Sequence, residues 1–179
     1  MEQSKIDKLN TIKPEYNQYK QCQLQIDIDS VLDCGNVRAF NLGKSHCNLI
    51  SFWACNVAAG KTDISYVDFF GKLIKNSLCE PNGKLLINKE LLCRDIFGFD
   101  FTIKYFQDFE DVLNPFRLDM NKFYQMRIIN TSHFISCYIE LEDKKPVMML
   151  SDTNDRGIGV KAEGKKRIDS KYFSWLLEI

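Results

Sequence analysis

The sequence predicts a single α+β domain in which helices come first and an antiparallel sheet follows. Three observations lead to this fold class. Apolar residues recur at helical spacing between residues 47 and 98, they alternate with polar residues after Gly98, and the 179 residues suffice for one core but not for two independent domains. Helices followed by strands along the chain are typical of the segregated α+β class.

Three helices are predicted from apolar periodicity and from residues that favour helix ends. The first places Cys47 in its opening turn and ends at Gly60. The second begins at Ser65 in the stretch SYVDFFGKLIKN. The third, NKELLCRDIFG, has Asn88 as its N-cap and Gly98 as its stop.

Strands are predicted wherever apolar and polar residues alternate. The stretches FDFTIKYF and KFYQMRII each predict one strand, and HFISCYIELEDKKPVMMLSD predicts two strands joined at EDKK. A further hairpin is predicted across GIGVKAEGKKRI, and DSKYFSWLLEI predicts a helical turn or a short strand. Two short strands, LQIDID and NVRAF, are expected before the helices.

The domain division follows from these elements and from the polar N-terminus. Residues 1–21 predict a short helix or an arm, because Pro14 breaks any longer helix. We therefore expect an N-terminal arm of uncertain role over residues 1–35 and a single α+β domain over residues 36–179.

Composition excludes several function classes. The 24 basic residues balance the 24 acidic residues, so no strong field favours nucleic acid or an anionic membrane. The N-terminus lacks the apolar core of a signal peptide and no stretch approaches about 20 apolar residues, which predicts a cytoplasmic protein. The seven cysteines are an odd number without a CxxC pair and predict reduced thiols.

Acid–base chemistry has few candidates because the chain contains only two histidines, His46 and His133. His133 begins one predicted strand and Asp152 ends the next, so an antiparallel hairpin would bring these two residues together. A thiol nucleophile needs a base, an acid that orients the base, and a field that favours the thiolate, which a helix N-terminus supplies. Cys47, His133 and Asp152 together meet those needs.

Structural roles for the same residues remain open. A lone cysteine in an apolar helix is usually a core thiol, and an aspartate before TND is usually a turn residue. His46 could also complete a zinc site with Cys47, His133 and Asp152, but adjacent residues rarely bind one ion. We expect His46 to be an exposed residue near the helix N-cap, and we expect neither a metal nor a cofactor.

The stretches NLGKSHCNLISFWA and SHFISCYIELEDKKPVMMLSDTNDRG, with the helices between them, resemble the papain-like cysteine peptidase superfamily. The similarity is to its small bacterial and phage-type branch, which includes bacteriocin-processing peptidases and cell-wall amidopeptidases, and it covers roughly residues 37–175. It implies a papain-like fold with Cys47 as nucleophile, His133 as general base and then acid, and Asp152 as orienting carboxylate. Asn41 stands where relatives often carry a glutamine that binds the oxyanion beside the backbone N–H of Cys47.

The expected function is a cysteine hydrolase that cleaves an amide or peptide bond through a thioester intermediate. The resemblance suggests a peptide or peptidoglycan-like substrate, such as a peptidoglycan stem peptide or a glycine-rich leader. The alternative is a catalytically inactive papain-like fold that serves as a phage- or plasmid-encoded binding or structural module. Asn41 in place of glutamine and His46 in place of glycine favour this alternative, and the oligomeric state is left open.

Overall fold

The structure is a computed structural model that describes residues 2–9, 47–80, 83–114, 119–129, 134–151, 166–167 and 173–179. Helices and an antiparallel sheet within these ranges confirm the mixed α+β class. The predicted strands LQIDID and NVRAF lie outside the described residues, as does most of the hairpin predicted across GIGVKAEGKKRI.

The described helices are short and, after the first, lie between residues 47 and 113. In no described part of the chain is a helix both long enough and apolar enough to cross a membrane. The helices are α1 over residues 3–9, α2 Cys47–Ala58, α3 Tyr66–Lys75, α4 Lys89–Leu92, which continues directly into the π-helical turn Cys93–Phe97, and α5 Phe109–Leu113.

The N-cap at Asn88 and the stop at Gly98 are confirmed, and Ser65, predicted to begin the second helix, is its N-cap. The Ser65 hydroxyl accepts a hydrogen bond from the backbone N–H of Asp68 at 3.1 Å, and the Asn88 side chain accepts one from Leu91 at 2.8 Å. Each satisfies a backbone donor that has no partner within its own helix. Gly98 follows the π-helical turn in the left-handed conformation with φ of 79°, which glycine adopts without a steric penalty.

Loss of the Asn88 cap is expected to destabilise the fold modestly. Asn88→Ala removes the acceptor for the Leu91 N–H at the start of α4, which should cost about 1 kcal/mol of unfolding free energy. Urea unfolding followed by tryptophan fluorescence measures this cost. The exposed substitution Lys84→Ala is the control and should change the unfolding free energy by less than about 0.5 kcal/mol. Equal effects of the two substitutions would contradict a capping role.

Six strands form one antiparallel sheet in the order β1-β6-β2-β3-β4-β5. The helices precede most of this sheet in the chain, as predicted. The strands are β1 Tyr105–Phe106, β2 Phe123–Ile128, β3 Phe134–Glu142, β4 Lys145–Ser151, β5 Lys166–Arg167 and β6 Phe173–Glu178.

The hairpin predicted at EDKK is confirmed. Strands β3 and β4 pair from Glu142 opposite Lys145 to Ser136 opposite Ser151. The two residues between the strands, Asp143 and Lys144, have φ of 51° and 63°. Positive φ at both central residues is the geometry of a type I′ turn, whose twist matches that of the paired strands. The start of β3 therefore lies beside the end of β4.

The strand predicted for FDFTIKYF is largely wrong, because only Tyr105 and Phe106 pair with β6. Its aromatic residues instead pack against the helices. The Phe101 ring contacts Phe52 edge-on at 5.8 Å, and the Phe99 ring stacks on Phe97 at 5.9 Å. The alternation in this stretch arises because its aromatic side chains face the helices while the polar side chains between them face solvent. It does not require a partner strand.

Both faces of the sheet are covered. Phe123 and Tyr138 belong to the larger core cluster together with α2, whereas Tyr124 and Met126 belong to a second cluster that includes Val112 of α5. Successive side chains of a strand point to opposite faces, so these two clusters lie on the two sides of the sheet. Strand β2 is consequently buried at every position except Arg127, despite its alternating sequence.

The first helix contributes to the same core as the Cys47 helix. Ile6 and Leu9 are 4% and 1% exposed, and both belong to the larger cluster that includes α2. Their spacing of three residues places them on one face of α1. Burial of this face ties the described part of the N-terminus to the domain.

Candidate functional site

Cys47 is the first described residue of α2, and its side chain is only partly buried. The other four cysteines within the described residues, Cys55, Cys79, Cys93 and Cys137, are buried thiols. Cys47 therefore differs from the other described cysteines in its exposure.

Helix α2 packs against β2 and β3, and the hydrogen bonds between them show which part of the helix meets the beginning of β3. Gln125 Nε2 donates to the Asn48 carbonyl at 2.7 Å, and Ser136 Oγ donates to the Ser51 carbonyl at 3.1 Å. Further along the helix, the Cys55 thiol donates to the Tyr124 carbonyl at 3.6 Å. Gln125 and Ser136 are register partners, and Tyr124 lies one step further from the start of β3.

Two predicted catalytic residues adjoin this end of the sheet in sequence. His133 immediately precedes Phe134, the first residue of β3, and Asp152 immediately follows Ser151, the last residue of β4. Phe134 and Ser151 lie at the same end of the paired strands. His133 and Asp152 themselves, with Asn41 and His46, lie outside the described residues.

The described residues also bear on metal binding. Among them, no group of three or more His, Cys, Asp or Glu side chains is arranged to hold a metal ion. Of the residues considered for a zinc site, only Cys47 is described.

A buried amide ties the first turn of α2 to the sheet. Gln125 is fully buried, and its Nε2 donates to the Asn48 carbonyl, to Asn48 Oδ1 at 3.2 Å and to Ser51 Oγ at 2.6 Å. The Ser51 hydroxyl in turn donates to the Cys47 carbonyl at 2.6 Å. Satisfied polar networks of this kind fix one arrangement, since each member is costly to leave unpaired inside a protein. The Cys47 backbone is thereby linked to β2.

Lys89 is a buried cation at the other end of this network. It begins α4, is 7% exposed, and its amine donates to Gln125 Oε1. The amine also lies over three aromatic rings, with its Nζ 5.1 Å from the centroid of Phe52, 5.8 Å from Phe134 and 5.6 Å from Trp175. Cations over ring faces are stabilised by the ring quadrupole. Burial nevertheless dominates and lowers the pKa of Lys89 to about 7.

Three of the buried thiols are held in the neutral form. Burial raises the pKa of Cys55, Cys79 and Cys93 to about 12, because desolvation penalises the thiolate. For Cys55, hydrogen bonds involving Ser136 and the Cys137 backbone act in the opposite direction but are outweighed. These three thiols are therefore unsuited to nucleophilic chemistry at neutral pH.

The sequence pointed to Cys47 but missed the polar groups beneath it. Lys89 follows an N-cap, a position that is usually solvated, so its burial is a tertiary property without a local signal. Gln125 carried none either, because the alternation in KFYQMRII groups it with Arg127, which is exposed. Ser51 and Ser136 likewise gave no indication.

A scan with models of known protein families, a search of curated proteins and a search of solved structures each returned no match to this chain. The function is therefore inferred from the chain's own residues and their arrangement.

Proposed function

We propose that this protein is a cysteine hydrolase of papain-like type that cleaves an amide or peptide bond, with Cys47 as its nucleophile. The observation that carries the proposal is the position of Cys47 in the first turn of α2. That turn packs toward the end of the sheet where β3 begins and β4 ends. The sequence supplies a histidine and an aspartate directly beyond those two strand ends.

The proposed reaction proceeds through a thioester. His133 takes the proton of the Cys47 thiol as the sulfur attacks the substrate carbonyl carbon, while the Cys47 backbone N–H and the Asn41 amide bind the oxyanion. His133, oriented by Asp152, gives its proton to the leaving nitrogen as the C–N bond breaks. Water then attacks the thioester with His133 as base, the carboxylic acid leaves, and the sulfur regains its proton.

The substrate class proposed is a peptide, with peptidoglycan stem peptides as the first candidates. Fragments of peptidoglycan that carry the stem peptide are the probe, and the appearance of a new amine at a stoichiometry above one per enzyme is the readout. Cys47→Ala is the matched control, since the substitution removes only the sulfur from the first turn of α2.

The proposal predicts one unusually reactive thiol. Iodoacetamide labelling of the native protein from pH 5 to pH 9, resolved by site with mass spectrometry, should modify Cys47 fastest of the seven cysteines. An ordinary thiol with a pKa of about 8.5 is less than ~1% ionised at pH 6, so rapid reaction there requires a stabilised thiolate. Cys55, Cys79 and Cys93 are internal controls, because their raised pKa keeps them protonated.

Two substitutions separate a working Cys–His pair from simple exposure. His133→Ala should remove the advantage of Cys47 at pH 6, because no imidazolium then remains beside the sulfur. Glu142→Gln, at the far end of β3, should leave the labelling profile unchanged. If Cys47 reacts no faster than an ordinary exposed thiol, or keeps its advantage in His133→Ala, the hydrolase proposal fails and an inactive binding module becomes the better account.

A further inference from the structure

A series of hydrogen bonds runs through the interior from the Lys89 amine to the Cys47 carbonyl. The Lys89 amine donates to Gln125 Oε1, and Gln125 Nε2 donates to Ser51 Oγ and to the Asn48 carbonyl. The Ser51 hydroxyl then donates to the Cys47 carbonyl. Each group in this series passes its polarisation to the next in the same direction, which makes the hydrogen bonds mutually strengthening.

This series of hydrogen bonds ends at two carbonyls in the first turn of α2, those of Cys47 and Asn48. In an α-helix the carbonyls of Cys47 and Asn48 also accept the backbone N–H groups of Ser51 and Phe52. Helix ends fray readily, since their terminal groups lack intrahelical partners. The extra donors from Ser51 and Gln125 therefore act at the point where the helix would otherwise be loosest.

Burial is the main influence on the pKa of Lys89. Among the described residues, the ionisable groups that act on it are the thiols of Cys55 in α2 and Cys93 in the π-helical turn. Burial keeps both thiols neutral to about pH 12. Within the described strands, the groups in contact with Lys89 are the Gln125 amide of β2 and the rings of Phe134 and Trp175.

We propose that Lys89 is a positioning residue that acts through Gln125 to hold the first turn of α2, and with it the Cys47 sulfur, in a fixed place. The consequence for catalysis rests on the proposed function, in which Cys47 is the nucleophile. The restraint of the first turn of α2 by Lys89 and Gln125, called the hold below, does not rest on the proposed function, because it concerns only hydrogen bonds among described residues. Lys89 touches no reacting atom, so its role differs from that of a catalytic residue.

The hold is expected to depend on pH. A charged amine donates a shorter and stronger hydrogen bond than a neutral one. With burial lowering the pKa of Lys89 to about 7, the amine changes between these forms in the neutral range. The first turn of α2 should therefore be held most firmly below pH 7 and less firmly above it.

Nuclear magnetic resonance detects this directly. In a pH titration from 5.5 to 9, the side-chain amide of Gln125 and the backbone amides of Ser51 and Phe52 should shift together with one midpoint near 7. Lys89→Met removes the titrating amine while keeping a side chain of similar length, and should abolish the shared shift. A purely structural lysine would not produce a common titration at these three amides.

Lys61→Met is the matched control. Lys61 likewise places its amine over aromatic rings, with its Nζ 5.5 Å from the ring centroids of Phe99 and Phe101, but the residue is exposed and its amine lies outside the Gln125 network. This substitution should leave the titration of Ser51 and Phe52 in place. The proposal is overturned if those amides do not titrate near pH 7 in the wild type, or if they still do so in Lys89→Met.

Gln125→Glu keeps the test decisive if Lys89→Met does not fold. A carboxylate at this position still accepts from Lys89, but in its ionised form it has no N–H to donate to Asn48 or Ser51. The pairing raises the pKa of Lys89, and the Ser51 and Phe52 amides should no longer follow its titration. If they follow it unchanged, the signal does not pass through Gln125 and the proposal fails.

Iodoacetamide labelling distinguishes failure of the hold from failure of the proposed function. Lys89→Met should slow alkylation of Cys47 at pH 6.5 on the order of 2- to 30-fold, the range found for residues that act through intermediates. An ordinary, slow Cys47 in the wild type, with the shared titration present, refutes the hydrolase and supports the hold. A fast Cys47 without the shared titration refutes the hold and supports the hydrolase.

Discussion

Lys89→Met is expected to lower stability relative to the wild type by about 2–3 kcal/mol more at pH 9 than at pH 6. The physical reason is that the folded state holds the Lys89 proton less tightly than the unfolded state does. Burial lowers the pKa of this amine from its ordinary value of 10.5 to about 7. The unfolded chain therefore binds more protons in the interval between these two values.

The sign follows from proton linkage. Below pH 7 the amine is charged in both states, and the full cost of burying the charge is present. Above pH 7 the folded state releases the proton first, so unfolding takes up a proton and stability rises by up to about 1.4 kcal/mol per pH unit. The gain levels off as the pH passes 10.5, above which the amine becomes neutral in the unfolded state as well.

Buried thiols limit this rise at alkaline pH. Cys55, Cys79 and Cys93 ionise near pH 9 when unfolded but only near 12 when folded. Unfolding then releases protons, and stability falls above pH 9. The wild type should accordingly be most stable near pH 9, whereas Lys89→Met should lack the rising limb and keep the fall.

The measurement is urea unfolding at pH 6, 7, 8 and 9 for the wild type, Lys89→Met and the exposed control Lys84→Ala. The substitution also leaves Gln125 Oε1 without its donor, a cost of about 1–3 kcal/mol that should not vary with pH. The pH dependence of the difference between the proteins is therefore the test. A constant difference from pH 6 to pH 9 would show that Lys89 keeps an ordinary pKa.

Phe52→Ala is expected to destabilise the protein by about 3–5 kcal/mol at every pH. Phe52 is fully buried in α2, and its ring packs against Phe97 at 6.2 Å and Phe101 at 5.8 Å between centroids. Truncation removes buried apolar surface and leaves a cavity that these rings cannot fill completely. It also withdraws one of the ring faces that stabilise the charged Lys89 amine.

Urea unfolding at pH 7 measures this loss. Leu141→Ala is the control, since Leu141 is 55% exposed on β3 and its truncation should change the unfolding free energy by less than about 0.5 kcal/mol. A loss below about 1.5 kcal/mol for Phe52→Ala would indicate that the helix–aromatic core around α2 is loosely packed.

The sequence predicted the helices well because their ends are encoded locally. Ser65 and Asn88 cap helix starts, and Gly98 stops the third predicted helix, through hydrogen bonds or backbone geometry within a few residues. The strand predicted at FDFTIKYF was largely wrong because pairing depends on a distant partner. The aromatic residues there pack on helices, and alternation alone does not reveal which surface they cover.

The residues of the candidate site also differ in whether their positions are encoded locally or depend on tertiary packing. Cys47 was predictable because a change of periodicity marks the start of its helix. Lys89 was not, because its burial depends on α4, α2 and β2 meeting in three dimensions. Gln125 was not predictable either, because alternation groups it with the exposed Arg127 and its burial depends on α2 packing against β2.

The π-helical turn at Cys93–Phe97 shifts the helical register, so that different residues face the core at the end of this segment. Such a turn accommodates one residue more than a regular α-helical turn, and one residue corresponds to a rotation of about 100° around the helix axis. That rotation carries the Phe97 ring to the Phe69 ring at 5.1 Å. A homologue with a regular helix here would align with this chain only through a one-residue gap, and an ungapped alignment would compare unlike faces.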